Sequence, residues 1–169
     1  MPESIQTNKI FNQEELIDQI LMYGREESRY AALFRNHVSQ ALEIYSTDLE
    51  CFEYLQAHGP APIGVLSGMR GLSSGAMTSV IDRLETAGFV RREHDKQDRR
   101  KVIVFPTEEK ADACLMYYGP YTDNIRNFLS KFNEIELRAI SSYYQKLISI
   151  DKSEIDKVKN LNTKKKAKN

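Results

Sequence analysis

The sequence lacks any apolar run close to the roughly 20 residues that a membrane-spanning helix requires. Residues 1–12 also lack the basic start and the apolar stretch that are typical of an export signal. We therefore expect a cytoplasmic protein that makes no contact with the membrane.

Cysteine is scarce, since the 169 residues include only two, Cys51 and Cys114, which lie far apart. Their separation matches neither metal-ligand spacing nor a disulfide framework. The histidines, His37, His58 and His94, have no acidic pair at catalytic or metal-binding spacing. We therefore expect no enzyme, no cofactor and no metal ion. Cys51 is expected in the core, with a redox sensor as the alternative.

A net charge of one sign is also absent, because 24 Lys and Arg residues balance 24 Asp and Glu residues. This balance argues at first against a nucleic-acid-binding protein, since many of these are clearly basic. Between Pro60 and Phe105, however, eight basic residues stand against five acidic ones, whereas the first third is rich in Glu and Asp. The distribution therefore predicts a cationic surface in the centre of the chain.

Apolar residues at helical spacing predict one long helix over residues 14–45. Asn12 begins a capping-box pattern at its start, and a bend is expected near Gly24. A second, shorter helix is predicted from another capping-box pattern at Thr47 to a stop at Gly59.

Two compact helices joined by a tight turn are predicted next. The first covers residues 63–70 and ends at Gly71, and the second opens at Ser73 or Ser74 and ends at Gly88. The apolar residues of the second helix recur at helical spacing and are expected to face inward: Met77, Val80, Ile81 and Leu84.

After these helices the hydrophobic period changes. Residues 89–91 and 102–105 are short runs of branched and aromatic residues, separated by the polar stretch 93–101. They predict a β-hairpin with a charged tip, whose second strand ends at Pro106.

Two further helices are predicted in the C-terminal part. Thr107 can cap a helix that reaches Lys131 and bends or breaks at Gly119-Pro120, and Asn133 opens a last helix with an apolar face. Beyond Asp151 the chain becomes polar and ends in a lysine-rich tail. We expect this tail to be disordered and solvated, with nonspecific contact to DNA as the alternative.

The order helix, turn, helix and hairpin is that of a winged helix, and short motifs make the comparison more specific. They are G-L-S-S-G-A-M-T at 71–78, I-D-R-L-E at 81–85, G-F-V-R-R at 88–92 and D-K-Q-D-R-R at 95–100. The set resembles the MarR family of multiple-antibiotic-resistance-type regulators. That family combines a threonine on the recognition helix with D-R-L-E, G-hydrophobic-V-x-R and D-x-x-D-R-R motifs.

The expected fold class is therefore mainly α with a small β-hairpin, a winged helix-turn-helix with long terminal helices. We divide the chain into an N-terminal dimerisation helix (1–46), the DNA-binding region (47–106), C-terminal dimerisation helices (107–150) and the tail (151–169), all in one interwoven domain. The terminal helices have more apolar surface than a small winged helix covers, which predicts a two-fold homodimer.

The resemblance implies a transcription repressor that binds a pseudo-palindromic operator in double-stranded DNA. In MarR-like proteins a small, often aromatic ligand binds between the dimer helices and the DNA-binding region and changes the half-site distance. Tyr117, Tyr118 and Tyr121 are candidates to line such a cavity, with core or dimer packing as the alternative. A winged helix that binds a protein partner instead of DNA is the alternative function.

The start of the recognition helix is predicted to enter the major groove, and its amides and dipole favour a phosphate. Arg83, further along, is a candidate for a phosphate contact, with a solvated face or a salt bridge to Asp82 or Glu85 as an equal alternative. Ser79 stands where the family often has a basic residue, which implies weaker phosphate anchoring or a different operator preference. The candidate DNA contacts at the helix start are Ser73, Ser74, Gly75, Met77, Thr78 and Ser79.

The hairpin tip is predicted to lie in the minor groove, where negative potential attracts cationic side chains. Arg99 and Arg100 lie at this tip. The resemblance implies that Asp98 holds an arginine of the wing while Arg100 inserts into the groove. A solvated tip without a DNA contact is the alternative.

Overall fold

The computed structural model describes residues 12–166. Its elements are α1 (Gln13–Ala41), α2 (Ser46–His58), β1 (Ala61–Pro62), α3 (Ile63–Arg70), α4 (Ser74–Thr86), β2 (Val90–His94), β3 (Val102–Pro106), α5 (Glu108–Leu129) and α6 (Glu134–Lys166). The chain forms two compact units that divide between Tyr117 and Tyr118. A mostly helical protein with one small antiparallel sheet confirms the predicted fold class. No helix within the described residues is both long and apolar enough to cross a bilayer.

The core of the first unit lies where α2, α3, α4 and the sheet meet. α4 buries its apolar face, as the spacing predicts, and the ring of Phe52 packs edge to face on Phe89 with centroids 5.1 Å apart. This packing fixes the inner side of α4 and leaves its outer side exposed. Side chains with no exposed surface include Leu49, Phe52, Leu55, Leu66, Met77, Ile81, Leu84 and Val104.

The sheet has the strand order β1-β3-β2, with antiparallel neighbours. β2 and β3 form the predicted hairpin. The sequence does not predict β1, because this strand has only two residues and one of them is Pro62. Pro62 lies opposite Ile103 on the edge of the sheet, where a residue without an amide donor is tolerated.

Helix ends agree with the sequence at most positions. The capping boxes at Asn12 and Asn133 are confirmed, and Gly71 and Gly88 are left-handed with φ of 63° and 77°. The capping box at Thr47 is wrong, because α2 begins one residue earlier and Thr47 lies inside its first turn.

The junction between α1 and α2 differs from the prediction of a helix through Tyr45. α1 ends at Ala41, and Glu43 takes a left-handed conformation with φ of 57°. The amides of Glu43 and Ile44 donate to carbonyls in the last turn of α1 at 3.1 and 3.0 Å, which is the pattern of a Schellman motif. Because glycine usually occupies this position, nothing in the sequence marks the end of the helix.

Replacing the left-handed residue with glycine should stabilise the protein. We expect Glu43→Gly to raise the free energy of unfolding by about 0.5 to 1 kcal/mol, because a left-handed backbone strains every residue except glycine. Urea denaturation at fixed protein concentration measures the change. Glu27→Gly, inside α1, is the control and should lower stability by about 1 kcal/mol. A loss of similar size in both variants would contradict the assignment of this helix end.

The C-terminal helices are longer and more regular than predicted. α5 continues through Gly119-Pro120, so the predicted break is wrong, although a bend there stays a prediction. α6 continues to Lys166, so the prediction of a disordered tail over residues 151–169 is wrong for residues 151–166, and residues 167–169 lie outside the described residues. Lysine favours a helix, and apolar residues continue at helical spacing in this segment: Ile155, Val158 and Leu161.

Candidate nucleic-acid interface

α4 begins at an exposed turn of the first unit. After the left-handed Gly71, Ser73 caps α4, and its hydroxyl accepts a hydrogen bond from the amide of Ala76 at 3.2 Å. Ser74 and Gly75 are exposed in the first turn. The amides of a first turn have no intrahelical acceptor and lie at the positive end of the helix dipole. The start of α4 is therefore suited to a phosphate oxygen.

Two hydroxyls follow on the outer side of α4. Thr78 Oγ1 donates to the carbonyl of Ser74 at 2.8 Å, and Ser79 Oγ donates to that of Gly75 at 3.3 Å. Both side chains are exposed. A hydroxyl that donates to its own helix keeps its oxygen as an acceptor. In these conformations, Thr78 and Ser79 present acceptors that suit the amino groups of adenine and cytosine in a major groove.

Met77 requires a correction to the sequence-based site. The sequence places this residue both in the inward-facing stripe and among the DNA contacts. Its side chain is fully buried, with Sδ 4.0 Å from Sγ of Cys51. The core assignment is correct, and the side-chain contact to DNA is wrong, because an inward-facing residue of a helix cannot reach a ligand on the opposite side.

Arg83 makes an ion pair with a buried carboxylate. Its Nε and Nη2 donate to the two oxygens of Asp48 at 2.8 and 2.6 Å, and the guanidinium lies over the ring of Tyr45. The side chain of Asp48 is 1% exposed and that of Arg83 43% exposed. Hydrogen bonding to Asp48 raises the pKa of Arg83. The salt bridge therefore forms with Asp48 rather than with the expected Asp82 or Glu85, and a phosphate contact of Arg83 stays a prediction.

Asp82 and Glu85 bind Arg92 of β2. Arg92 Nη2 donates to Asp82 at 2.5 Å, and Nη1 donates to Glu85 at 2.7 Å. The backbone amide of Arg92 donates to the second oxygen of Glu85 at 3.0 Å, and Nη2 lies 3.5 Å from the carbonyl of Thr78. With Leu84 in the core, the D-R-L-E motif connects α4 to α2 on one side and to the hairpin on the other.

The hairpin tip, residues 95–101, is held by its own aspartates. Asp95 Oδ1 accepts from the amides of Asp98 and Gln97, both at 2.8 Å, and these bonds lower the pKa of Asp95. Asp98 Oδ1 accepts from the amide and Nε of Arg100 at 3.2 and 3.1 Å. Asp98 thus holds Arg100 itself, the arginine that the resemblance implies enters the groove.

Both arginines of the tip are exposed. The side chain of Arg100 is 91% exposed despite its bond to Asp98, and the carbonyl of Arg99 lies 2.9 Å from Nδ1 of His94. The tip therefore combines a backbone fixed by hydrogen bonds with two cationic side chains that face solvent. Their contact with DNA stays a prediction.

The two cysteines are free and buried. Burial raises the pKa of Cys51 and of Cys114 to about 11, so that little thiolate forms near neutral pH. This favours the core assignment of Cys51 over a redox sensor. Among the residues that the structure describes, no group of His, Cys, Asp and Glu is arranged to hold a metal ion.

Sequence reasoning misses two side chains that organise this interface, Asp48 and Arg92. Asp48 lies in a helix start that otherwise enters the core with Leu49 and Phe52, and a carboxylate in such a place needs a buried partner. The alternation of side chains along β2 is the signal that could have identified Arg92. This residue lies two positions after the buried Val90 and therefore faces the same side of the sheet.

The helices α2, α3 and α4, the three-stranded sheet and the exposed hairpin tip define a winged helix-turn-helix protein. The sequence profile of the MarR family matches residues 44–102. The chain is 31% identical over 148 residues to the HTH-type transcriptional regulator YcgE of Bacillus subtilis (strain 168), itself uncharacterized, covering 88% of this chain and 96% of that protein. The chain therefore belongs to the MarR family, and the curated proteins that it matches are named as HTH-type transcriptional regulators.

Solved structures support the same fold. A MarR protein from Peptoclostridium difficile DA00132 aligns with a TM-score of 0.61 at 19% identity, over 92% of this chain and 98% of that one. A MarR family protein from Bacillus stearothermophilus aligns with a TM-score of 0.63 at 18% identity, over 81% and 96% of the two chains. At these identities the alignments establish the architecture alone.

Proposed function

We propose that the protein is a homodimeric, sequence-specific DNA-binding repressor of transcription that recognises a pseudo-palindromic operator. One observation carries the proposal: the exposed start of α4 and the cationic hairpin tip belong to one unit and are connected through Arg92. A helix start suits the major groove and its phosphates, and an exposed arginine suits the adjacent minor groove. The proposed contacts are Ser73, Ser74, Gly75, Thr78, Ser79, Arg83, Asp98, Arg99 and Arg100.

Exposed apolar side chains on the terminal helices support a homodimer. On α1, Leu16, Ile17, Ile20 and Leu21 are 45 to 54% exposed. On α6, Ile148, Ile155, Val158 and Leu161 are 52 to 59% exposed. An exposed apolar stripe on a helix favours association, and identical chains associate most simply about a two-fold axis. Two copies of α4 would then meet major grooves about 34 Å apart, one turn of DNA.

A small aromatic ligand that relieves repression completes the proposal and rests on the family resemblance. The candidate contacts for such a molecule are Tyr117, Tyr118 and Tyr121 of α5, of which Tyr117 and Tyr121 are 38% and 40% exposed. Thermal unfolding with and without simple aromatic acids, followed by release of bound DNA, tests this part.

Anisotropy titration of labelled DNA tests the function itself. The probe is a fragment from upstream of the protein's own gene, measured at several salt concentrations against a shuffled fragment. We expect saturable binding that is tighter for the upstream fragment and weakens as salt rises. The balanced net charge favours a second candidate, a winged helix that binds a protein partner. Absence of saturable binding at low salt would support that candidate.

Removal of Arg100 should weaken this binding in a defined way. We expect Arg100→Ala to lower affinity and to reduce the slope of log K against log salt by about one unit, because one cationic contact with the phosphate-lined groove is lost. Lys96→Ala removes an equal charge from the same tip and should have the smaller effect. An unchanged affinity and slope in Arg100→Ala would exclude Arg100 from the site.

A further inference from the structure

We propose that Arg92, with Asp82 and Glu85, fixes the wing hairpin to the recognition helix so that DNA meets the two as one rigid surface. The inference rests on the proposed function and adds positioning residues that do not themselves touch DNA. Both side-chain bonds and the backbone bond to Glu85 cross from β2 to α4, at 2.5 to 3.0 Å.

Arg92 occupies the position on β2 that determines the direction of the tip. Three residues of β2 share the side that faces α4, and their burial decreases toward the tip: Val90 is buried, Arg92 is half-buried and His94 is exposed. Val90 anchors the base of the hairpin in the core. Arg92 lies between that anchor and the exposed tip, so a rotation of the hairpin about its base would have to break the bonds of Arg92.

The exposure of the partners argues for orientation rather than stability. The side chains of Arg92, Asp82 and Glu85 are 25%, 56% and 39% exposed. Ion pairs with this much solvent contribute little to the free energy of folding. A fork that binds two carboxylates and a backbone group does, however, define one geometry. Loss of these Arg92 bonds is therefore expected to weaken DNA binding rather than folding, because the hairpin must reach the minor groove while α4 occupies the major groove.

Charge alone and positioning predict opposite results for the two acidic residues. Asp82 and Glu85 lie on the helix that is proposed to approach DNA, and neutralising them removes repulsion from the phosphates. Simple electrostatics therefore predicts tighter binding for Asp82→Asn/Glu85→Gln. Loss of positioning predicts weaker binding, because the hairpin must then be ordered when the complex forms.

The experiment compares three variants and one control variant with the wild type in the anisotropy titration. We expect Arg92→Met and Asp82→Asn/Glu85→Gln each to bind the upstream fragment about tenfold more weakly, and the triple variant to bind no more weakly than Arg92→Met alone. Arg91→Met is the matched control: it removes the same charge from the neighbouring, exposed position of β2 and should change affinity by less than about threefold. Hydroxyl-radical footprints should lose minor-groove protection in the first two variants and keep it in the control.

Several outcomes would overturn the proposal. Unchanged or tighter binding by Asp82→Asn/Glu85→Gln would do so, as would equal losses in Arg91→Met and Arg92→Met. Hydrogen exchange in DNA-free protein separates this inference from the proposed function. Amides of residues 90–106 should exchange faster in Arg92→Met and in the acidic double variant, but not in Arg91→Met. If the wild type binds no DNA, the proposed function fails. If the amides of residues 90–106 exchange at the wild-type rate in Arg92→Met and in the acidic double variant, the positioning role of Arg92 fails.

Discussion

We expect Arg83→Met to lower the free energy of unfolding by about 3 kcal/mol, measured by urea denaturation. The substitution leaves the carboxylate of Asp48, 1% exposed, without its cation, and removing one partner of a buried pair costs about 3 to 5 kcal/mol. The lower end of that range applies because Arg83 itself is 43% exposed, so solvent already screens part of the pair. The hydroxyl of Thr47, 3.1 Å from Asp48, is too weak a donor to replace a guanidinium.

The two partners should not be equivalent. Asp48→Asn should cost only about 1 kcal/mol, because the half-exposed Arg83 can turn to water. The double variant should be less destabilised than the sum of the single variants, since no charge is left buried. Arg91→Met, which removes an exposed arginine from β2, is the control and should change stability by less than about 0.5 kcal/mol. If Arg83→Met were as mild as Arg91→Met, the pair would not anchor α4.

The second large effect concerns the apolar side of α1. We expect Ile17→Glu/Ile20→Glu to raise the dissociation constant of the homodimer by about 100-fold or more. Both side chains are about half exposed in the single chain, at 49% and 48%, and are proposed to be buried by the second copy. In a two-fold interface every substitution occurs twice, so the cost of burying each carboxylate is counted twice. Sedimentation equilibrium over a range of concentrations measures the constant.

A control separates the interface from folding of the subunit. Gln19→Glu adds a carboxylate between the two isoleucines in sequence but on the other side of the helix, and should leave the dimer intact. Circular dichroism should show similar helix content in both variants. A dissociation constant of the double variant within about threefold of the wild-type value would exclude this side of α1 from the interface. A wild type that is monomeric would exclude the homodimer altogether.

The parts of the fold that follow from the sequence are those fixed by local chemistry. The periodic apolar residues of α4, the glycines at 71 and 88 and the branched and aromatic residues of the hairpin strands each favour a conformation locally. Where the conformation of a segment depends on residues that are distant in sequence, the sequence does not predict it. β1 is a strand through its pairing with β3, and Glu43 is left-handed at the junction of α1 and α2 although its residue type does not favour that conformation.

The candidate site shows the same division. The exposed start of α4 follows from Ser73 as a cap and from the short residues after it. The partner of Arg83 does not follow, because Asp48 is 35 residues away and competes with two acidic residues that are adjacent in sequence. Met77 is an error of the opposite kind. Its position near the start of α4 suggests a DNA contact, although the helical spacing of the apolar residues already places its side chain in the core.

The helical segment beyond residue 150 shows that amino-acid composition alone does not predict whether a charged segment is helical or disordered. Its charged residues are typical of a solvated tail, yet lysine, glutamate and leucine are also good helix formers. Ile155, Val158 and Leu161 continue the helical spacing of the first part of α6, so periodicity predicts this segment better than charge does. The exposure of these three residues, at 52 to 59%, makes this segment part of the surface that a second copy is proposed to cover.

Stoichiometric titration of the upstream DNA fragment tests the central claim most directly. Protein is added to duplex at a concentration well above the dissociation constant, and the break point in anisotropy gives the number of chains bound. We expect a break at two chains per operator, with affinity that falls steeply as salt rises and a preference over shuffled DNA. A break at one chain, or signals that rise without saturation and equally for both sequences, would contradict a dimeric, sequence-specific regulator.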